Sequence, residues 1–228
     1  MAGYNLLPSV ARRRSLPTHR LSPNHRGVPT LSNGKTPVTD PLIAAIVFQG
    51  LLFPLAIGLA FLLGVRPWTA MDANLDAVLL AVVATLPPLL GLWGLSRARV
   101  AWFEDLDALV RPMINALFRG RGRGPVLLIS LLAGFGEELL FRGVLQGWLT
   151  ELAGPWTGVL AAAVVFGLLH FLSWTYFVFA VGFGIYLGVI YELTGNLLVV
   201  CLVHALYDWA AIHYMLRDGA PASDTPTP

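Results

Sequence analysis

Long uncharged apolar stretches fill most of the chain between residues 42 and 216. Leu42–Val65 runs for 24 residues without a charge, and Ala77–Ser96 runs for 20. Leu152–Tyr191 adds 40 more, and its most polar point is Ser173-Trp174. A bilayer core about 30 Å thick needs about 20 apolar residues in a helix. The pattern therefore predicts six membrane-spanning helices, at about 42–64, 77–96, 125–149, 155–173, 175–193 and 196–216.

Between the second and third spans, apolar residues recur at helical spacing instead of forming an unbroken run. Leu106, Leu109, Met113 and Leu117 follow each other at intervals of three or four residues, which is typical of an amphipathic helix. A helix of this kind lies in the membrane interface. The predicted fold class is therefore all-α: a polytopic membrane helix bundle of about six transmembrane helices, plus an interfacial amphipathic helix.

The composition is that of a membrane protein. Of the 228 residues, 56% are hydrophobic and 12% are charged, whereas a soluble domain carries about 25% charged residues. Disorder of the whole chain is excluded, because it requires low hydrophobicity and high charge. Cys201 is the single cysteine, so the chain can form neither an internal disulfide nor a Cys-based zinc site.

Basic residues cluster in alternate links and predict the orientation. Residues 1–40 contain six basic residues, and the link between the second and third spans contains six arginines. Short cytoplasmic loops collect Lys and Arg, so both termini are predicted to be cytoplasmic, which agrees with an even number of spans. An Arg-Gly run at 120–124 is attributed to a loop touching anionic lipid, not to nucleic-acid binding.

Four regions follow from this pattern. Residues 1–40 are interpreted as a disordered basic cytoplasmic tail, with an organelle transit peptide as the alternative. Residues 41–124 form two N-terminal transmembrane helices and the interfacial helix. Residues 125–216 form the helix bundle that carries the candidate chemistry, and residues 217–228 form a polar tail.

Six ionisable side chains lie in the C-terminal spans, where each charge costs at least about 2.5–3.5 kcal/mol. Residues four apart share one face of a helix, so Glu138 is predicted to pair with Arg142. Glu137 points about 140° away from Arg142 and stays available as a general acid or base. Gly134 and Gly136 thin this helix for a close neighbour. The full set is Glu137, Glu138, Arg142, His170, His204 and Asp208.

Convergence of these side chains would form one polar pocket able to activate water against a carbonyl group. A structural ion-pair cluster is the alternative for the residues of the third span, and a packing role is the alternative for His170. A rise of about 1.5 Å per residue places Glu137 and His204 about 18 Å above the inner face. The same count places His170 only about 7–8 Å above it.

The ordered residues resemble the motif of the CPBP intramembrane proteases, also called the CAAX-protease and bacteriocin-processing or abortive-infection family. That motif is Glu-Glu-x-x-x-Arg, then Phe-x-x-x-His, then His-x-x-x-Asn or Asp. The resemblance covers roughly residues 125–215. The matching positions are Glu137, Glu138 and Arg142, then Phe166 and His170, then His204 and Asp208.

The resemblance implies an intramembrane endopeptidase that hydrolyses a peptide bond of a membrane-associated protein or peptide. Glu137 and His170 would activate the attacking water, and Phe166 would contact the substrate. His204, with Asp208, would stabilise the oxyanion or help to bind a metal. Members that process prenylated proteins usually have Asn at the position of Asp208, and an ionised Asp cannot donate a hydrogen bond.

The cofactor stays open at this point. Glu137, His170, His204 and Asp208 are candidate ligands for zinc or another divalent metal, and a reaction without metal is the alternative. The chain lacks the His-Glu-x-x-His signature of many metalloproteases. The expected partners are membrane lipid and a peptide or protein substrate entering from the bilayer, with no nucleic acid. The expected location is the bacterial plasma membrane.

Two other function classes compete with a protease. One is a non-catalytic membrane scaffold or bacteriocin-immunity protein, in which the same residues only hold helices together. The other, less favoured, is a transporter, because buried ionisable residues also mark ion pathways. Transporters usually carry internal repeats, and the sequence contains no visible repeat.

Overall fold

The computed structural model describes residues 40–218, and no β-strand occurs in that range. The predicted tail or transit peptide over residues 1–39, and the polar tail beyond residue 218, lie outside the described residues. The last helix continues two residues past its predicted end at residue 216. In chain order the helices are α1 (Pro41–Leu63), α2 (Leu75–Ala98), α3 (Ala101–Phe118), α4 (Arg123–Glu138), a π-helical segment (Leu139–Gln146), α5 (Gly147–Ala153), α6 (Pro155–Leu169), α7 (Trp174–Thr194) and α8 (Leu197–Asp218).

The helices confirm the predicted all-α polytopic class. Within the described residues, five runs are long and apolar enough to cross a membrane, namely α1, α2, the continuous run Arg123–Ala153, α7 and Leu197–Arg217 of α8. Large apolar side chains on these helices face outward, as lipid contact requires; Phe61 and Leu193 are 74% and 81% exposed.

α6 is the exception among the predicted spans. It is apolar but only 15 residues long, and it ends at Leu169 although the sequence predicted a span to residue 173. The cause is the start of the next helix: the Ser173 hydroxyl accepts a hydrogen bond from the backbone N–H of Tyr176 at 3.1 Å. Serine in this position is a favoured helix N-cap, so α7 begins at once and α6 has no room to continue.

α3 is the predicted amphipathic helix. It buries Phe103 and Leu106 on one face and carries an Arg111–Asp107 ion pair one turn apart, with 2.8 Å between the Arg111 Nε and an Asp107 oxygen. Arg111 also donates to the backbone carbonyl of Met215. α3 is therefore fastened to the end of α8.

Contacts between helix ends show which ends of the helices lie together. Asp40, at the start of α1, forms a 2.6 Å ion pair with Arg121, just before α4. At the opposite end of the bundle, the Asn196 side chain donates to the Asp72 carbonyl at 2.8 Å. The starts of α1 and α4 thus lie at one end of the bundle, and the α1–α2 and α7–α8 links lie at the other.

Two glycines let α4 sit at the centre of the bundle, as the sequence predicts. A Cβ added at Gly134 would lie 2.7 Å from the Cβ of Ala205 in α8. A Cβ added at Gly136 would lie 3.2 Å from the Phe53 ring in α1. α4 therefore approaches α8 and α1 more closely than any residue with a side chain would allow.

The π-helical segment joins the bundle centre to α7. Arg142 Nη2 donates to the Gly184 carbonyl at 2.9 Å, and Gln146 Nε2 donates to the Gly188 carbonyl at 3.0 Å. The two donors are four residues apart in the π-helical segment, and the two acceptors are four residues apart in α7. The same contact is therefore made twice along these neighbouring helices. Such π-helical segments often occur at functional sites, and this one follows directly after Glu138.

Candidate active site

The structure brings all six predicted ionisable residues into one cluster. Glu137 and Glu138 come from the end of α4, and Arg142 comes from the π-helical segment. His170 follows α6, and the remaining two residues lie one turn apart on α8. Most of these side chains are buried, whereas His170 and Asp208 are each 28% exposed. The cluster is therefore reached from the side of His170 and Asp208.

Glu138 is the fully buried anchor of the cluster. Its Oε1 accepts hydrogen bonds from Arg142 Nη1 at 2.8 Å and from His204 Nδ1 at 2.7 Å. The predicted pairing of Glu138 with Arg142 is thus confirmed. A buried charge is tolerated when it is paired and hydrogen-bonded, so this carboxylate serves to hold the arginine and the imidazole in place.

Glu137 is held differently, as its position on the helix predicts. It makes no contact with Arg142; instead its Oε1 accepts a 2.8 Å hydrogen bond from Gln49 Nε2 in α1. Its Oε2 is buried and has no hydrogen-bond partner among the described residues. This oxygen lies 3.6 Å from His170 Nε2 and 4.0 Å from His204 Nε2.

Both imidazole rings turn Nε2 toward Glu137. His170 Nδ1 lies 2.8 Å from the Phe166 carbonyl, which only accepts, so this nitrogen is the donor. His204 Nδ1 donates to the Glu138 carboxylate in the same way. In a neutral His170 ring Nε2 is therefore an acceptor, and the Nε2 atoms of both rings face the unpartnered oxygen of Glu137.

Phe166 packs beneath the cluster. Its ring stacks on His170 with centroids 4.2 Å apart, and the Arg142 guanidinium lies 4.9 Å from its centroid. Only 3% of Phe166 is exposed, so its main contacts are with the residues it supports. The predicted substrate contact is limited to the small part of this ring that lines the cavity.

A cavity of about 380 Å³ leads to the cluster. Glu137, His170, His204 and Asp208 line its polar part. Apolar side chains line the rest, and α3 supplies one wall with residues that include Leu106, Val110, Met113, Ile114 and Leu117. The interfacial helix therefore covers a route from the end of the bundle to the buried carboxylate.

The predicted depth difference between His170 and Glu137 is wrong, since their side chains lie 3.6 Å apart. The error came from counting Glu137 upward from the inner face and His170 downward from an assumed start of its span at the outer face. The two helices instead meet at Gly154, which has a positive φ of 88° and links α5 to α6. Glu137 lies 17 residues before this turn and His170 lies 16 residues after it, so both reach the same depth.

Comparison with known proteins places this arrangement in a family. Residues 123–210 match the family described as type II CAAX prenyl endopeptidase Rce1-like. This region of the chain is therefore similar to the Rce1-like family. A 95-residue stretch is also 37% identical to the uncharacterized protein YpbD of Bacillus subtilis (strain 168). That stretch covers 40% of this chain and 46% of the relative, so the chain spans less than half of that relative's length. No solved structure matches the chain significantly.

The Rce1-like region contains every residue of the predicted motif, from Glu137 to Asp208. The matched family is, by its description, one of CAAX prenyl endopeptidases. The five long apolar helices are those of an integral membrane protein. Gln49 lies outside this region, in α1. The candidate site is therefore completed by a helix that the family match does not cover.

Sequence reasoning did not identify Gln49, although a signal was present. Gln49 is the only residue with a polar side chain in the 24-residue stretch Leu42–Val65. A lone amide in an apolar span is expected to find a hydrogen-bond partner inside the bundle. The sequence does not say which helix supplies that partner.

The candidate donor atoms of the site are spaced somewhat more widely than the ligands of a tetrahedral zinc ion. A tetrahedral zinc ion with bonds of about 2.0–2.1 Å holds its donor atoms about 3.4 Å apart. Here the closest pairs, His170 with Glu137 and His204 with Asp208, are 3.6 Å apart, and His204 with Glu137 is 4.0 Å apart. Within residues 40–218 no group of three or more His, Cys, Asp or Glu side chains could hold a metal.

Proposed function

We propose that this chain is an intramembrane endopeptidase that hydrolyses a peptide bond of a membrane-associated protein or peptide by glutamate- and histidine-activated water. The observation that carries the proposal is Glu137 Oε2: a buried carboxylate oxygen without a partner, facing two imidazole Nε2 atoms at the polar end of a cavity. Glu137 Oε2 and the unprotonated His170 Nε2 are both acceptors and cannot bond each other, but a water molecule beside these two atoms, which lie 3.6 Å apart, can donate one hydrogen to each.

In this reaction a water held by Glu137 and His170 attacks the carbonyl carbon of the substrate. The water's proton passes to Glu137 Oε2, a tetrahedral oxyanion forms, and the carbon–nitrogen bond then breaks. Glu137 returns the proton to the leaving amine. Well-placed acid–base groups of this kind contribute about 10²–10⁴ in rate.

The oxyanion needs a hydrogen-bond donor, and a protonated His204 ring supplies it. Nδ1 of that ring donates to Glu138, so the proton on Nε2 is directed toward the cavity. Asp208 Oδ2 lies 3.6 Å from Nε2, and its negative charge stabilises the protonated ring. This role replaces the side-chain amide that an asparagine would offer at position 208. Glu138 supports it by accepting from the other nitrogen of the His204 ring.

The surroundings of the site suggest how a substrate arrives. The apolar cavity wall under α3 suits an apolar segment that enters from the bilayer, and membrane lipid surrounds the five long apolar helices. We place both termini on the cytoplasmic side of a bacterial plasma membrane, because the arginine-rich link between α2 and α4 lies at the end of the bundle where α1 and α4 begin.

Isotope incorporation tests this function without a known substrate. Purified full-length protein is incubated with a detergent extract of bacterial plasma membranes in water enriched in ¹⁸O, and mass spectrometry identifies new peptide carboxyl termini. The wild-type protein is expected to produce ¹⁸O-labelled termini. Glu137→Gln and His170→Ala, tested one at a time as folded proteins, are expected to produce at least about 100-fold less.

Other outcomes would contradict the proposal. Labelled termini formed equally by Glu137→Gln would exclude this carboxylate as the base. A complete lack of labelled termini with the wild-type protein would favour a membrane scaffold, and proton flux in liposomes would favour a transporter.

A further inference from the structure

A second cleft lies at the end of the bundle where α2 ends and α4 begins. It encloses about 390 Å³ and does not share its polar lining residues with the cavity that leads to Glu137. Side chains from three helices line it: Leu89 and Trp93 from α2, Arg123 from α4, and Trp209, His213 and Arg217 from α8. Leu92 is the one residue that borders both.

The cleft is basic. Arg123 and Arg217 come from different helices, and no acidic side chain is among the described residues that line it. Neither guanidinium makes a hydrogen bond or ion pair with another side chain in the described part of the chain. The ion pairs elsewhere at this end of the bundle use other arginines, such as Arg121 with Asp40. Among the described residues, therefore, no acidic side chain neutralises the positive charge of the cleft.

The rest of the lining is aromatic and apolar. Trp209 and His213 lie one turn apart on α8, with ring centroids 4.7 Å apart. Trp93 lies on the facing side, and the Arg97 guanidinium lies 5.3 Å from its centroid. Both tryptophans are partly exposed, at 52% and 39%. Trp residues of this kind are enriched at the level of the lipid headgroups.

We propose that this cleft binds the headgroup of an anionic phospholipid of the phosphatidylglycerol class. Arg123 and Arg217 would contact the phosphate from two sides, and guanidinium groups bind phosphate through paired hydrogen bonds. The acyl chains would then lie along the apolar surface that begins at Leu89 and Trp93. Basic pockets between transmembrane helices are known to bind anionic headgroups. The proposal does not depend on the proteolytic activity.

Native mass spectrometry of the full-length protein in mild detergent tests this site. The protein is mixed with equal amounts of phosphatidylglycerol and phosphatidylcholine that carry the same acyl chains. Wild-type protein is expected to retain phosphatidylglycerol at least about tenfold more than phosphatidylcholine, because each basic group near a membrane surface contributes about 1 kcal/mol. Arg123→Gln/Arg217→Gln is expected to lower this preference to about twofold or less.

Arg66→Gln is the matched control. Arg66 is exposed and lies at the other end of the bundle, before the short turn Pro67–Ala70. Its substitution therefore removes a positive charge outside the cleft, and the variant should keep the preference for phosphatidylglycerol. If the double variant does not fold, the single variant Arg217→Gln replaces it, because Arg217 is exposed in the last turn of α8.

Three results would overturn the proposal. The first is a double variant that keeps the full preference for phosphatidylglycerol. The second is a wild-type protein that binds both lipids equally. The third is displacement of phosphatidylglycerol by millimolar inorganic phosphate, which would mark the cleft as a site for free phosphate instead of lipid.

Discussion

At the scale of single side chains, the hydrogen bond from Gln49 gives the two oxygens of the Glu137 carboxylate different surroundings. Oε1 accepts the Gln49 amide at 2.8 Å, and Oε2 faces the cavity without a partner. The hydrogen bond fixes the rotation of the carboxylate, so the unpartnered oxygen stays aimed at the two imidazoles. Gln49 is thus a positioning residue, acting through Glu137.

Replacing Gln49 by leucine tests this role. Gln49→Leu keeps the approximate size but removes the donor, and a hydrogen bond to a charged group is worth about 1.5–3 kcal/mol. We expect kcat to fall about 10- to 150-fold with KM nearly unchanged, measured on a peptide found in the isotope experiment. Val47→Ala, on the outward face of the same helix, should stay within about twofold of wild type. An unchanged kcat for Gln49→Leu would contradict the positioning role.

Side-chain contacts could be predicted from the sequence where both partners lie on the same helical run. The pairing of Glu138 with Arg142 follows from their four-residue spacing alone, and the structure confirms it at 2.8 Å. The bond from Gln49 to Glu137 joins residues 88 positions apart. Its existence depends on which face α1 turns toward α4, and an apolar span with nearly uniform faces carries no signal for that choice.

At the scale of helices, the close contact of α4 with α8 aligns the two halves of the candidate site. Glu137 and Glu138 lie one turn beyond Gly134 on α4, and His204 precedes Ala205 on α8. Any increase in the distance between these helices therefore also separates the carboxylates from the imidazole.

Gly134→Ala tests this contact. The new Cβ would lie 2.7 Å from the Cβ and the backbone nitrogen of Ala205, and neither atom can rotate away. We expect a loss of about 1–3 kcal/mol in unfolding free energy from overpacking. We also expect at least a tenfold loss of hydrolysis, because a displacement of about 1 Å can cost about 100-fold.

Gly91→Ala is the control for this prediction. Gly91 also lies inside a helix, but a Cβ there would meet nothing within 4 Å. Alanine is favoured over glycine in helix interiors by about 0.5–1 kcal/mol, so thermal unfolding in detergent should be unchanged or slightly higher. Equal effects of the two substitutions would show that helix propensity, and not the contact with α8, decides the result.

Most helices were predictable, because each long apolar run exceeds the length that a bilayer requires. The short α6 and the π-helical segment were not. The sequence marks Ser173 as a possible helix start. It does not show that Ser173 caps α7 or that α6 therefore ends at Leu169. The π-helical segment depends on contacts from Arg142 and Gln146 to α7, which are tertiary and leave no local pattern.

At the scale of the whole molecule, one ion pair joins the start of α1 to the residues just before α4. Asp40 caps α1 and bonds Arg121, two residues before α4. The hydrogen bond from Arg121, followed by that from the Leu42 backbone N–H, holds the pKa of Asp40 below its ordinary value of 3.8. A carboxyl group with a lowered pKa stabilises the folded state above the unfolded pKa. That contribution is lost as pH falls through the folded pKa.

Asp40→Asn measures this contribution. Asparagine keeps a good helix cap but removes the charge, so the variant should have a slightly lower Tm than wild type at pH 6. The difference should shrink as the pH is lowered through the folded-state pKa of Asp40, because both states then bind the proton. It should also shrink in high salt, since both partners are about one-third exposed. A difference that grows toward low pH would contradict the assignment.

The early end of α6 has a consequence for the water that the proposed hydrolysis requires inside a lipid bilayer. Backbone without regular helical bonding is tolerated at membrane depth only where protein shields it or where it borders an aqueous space. The residues from His170 to Ser173 are such a stretch, and His170 itself stands at the mouth of the reaction chamber. We therefore expect water to reach the cavity beside His170. The shortness of α6, which leaves it unable to cross the membrane alone, would then give the cavity its access to water.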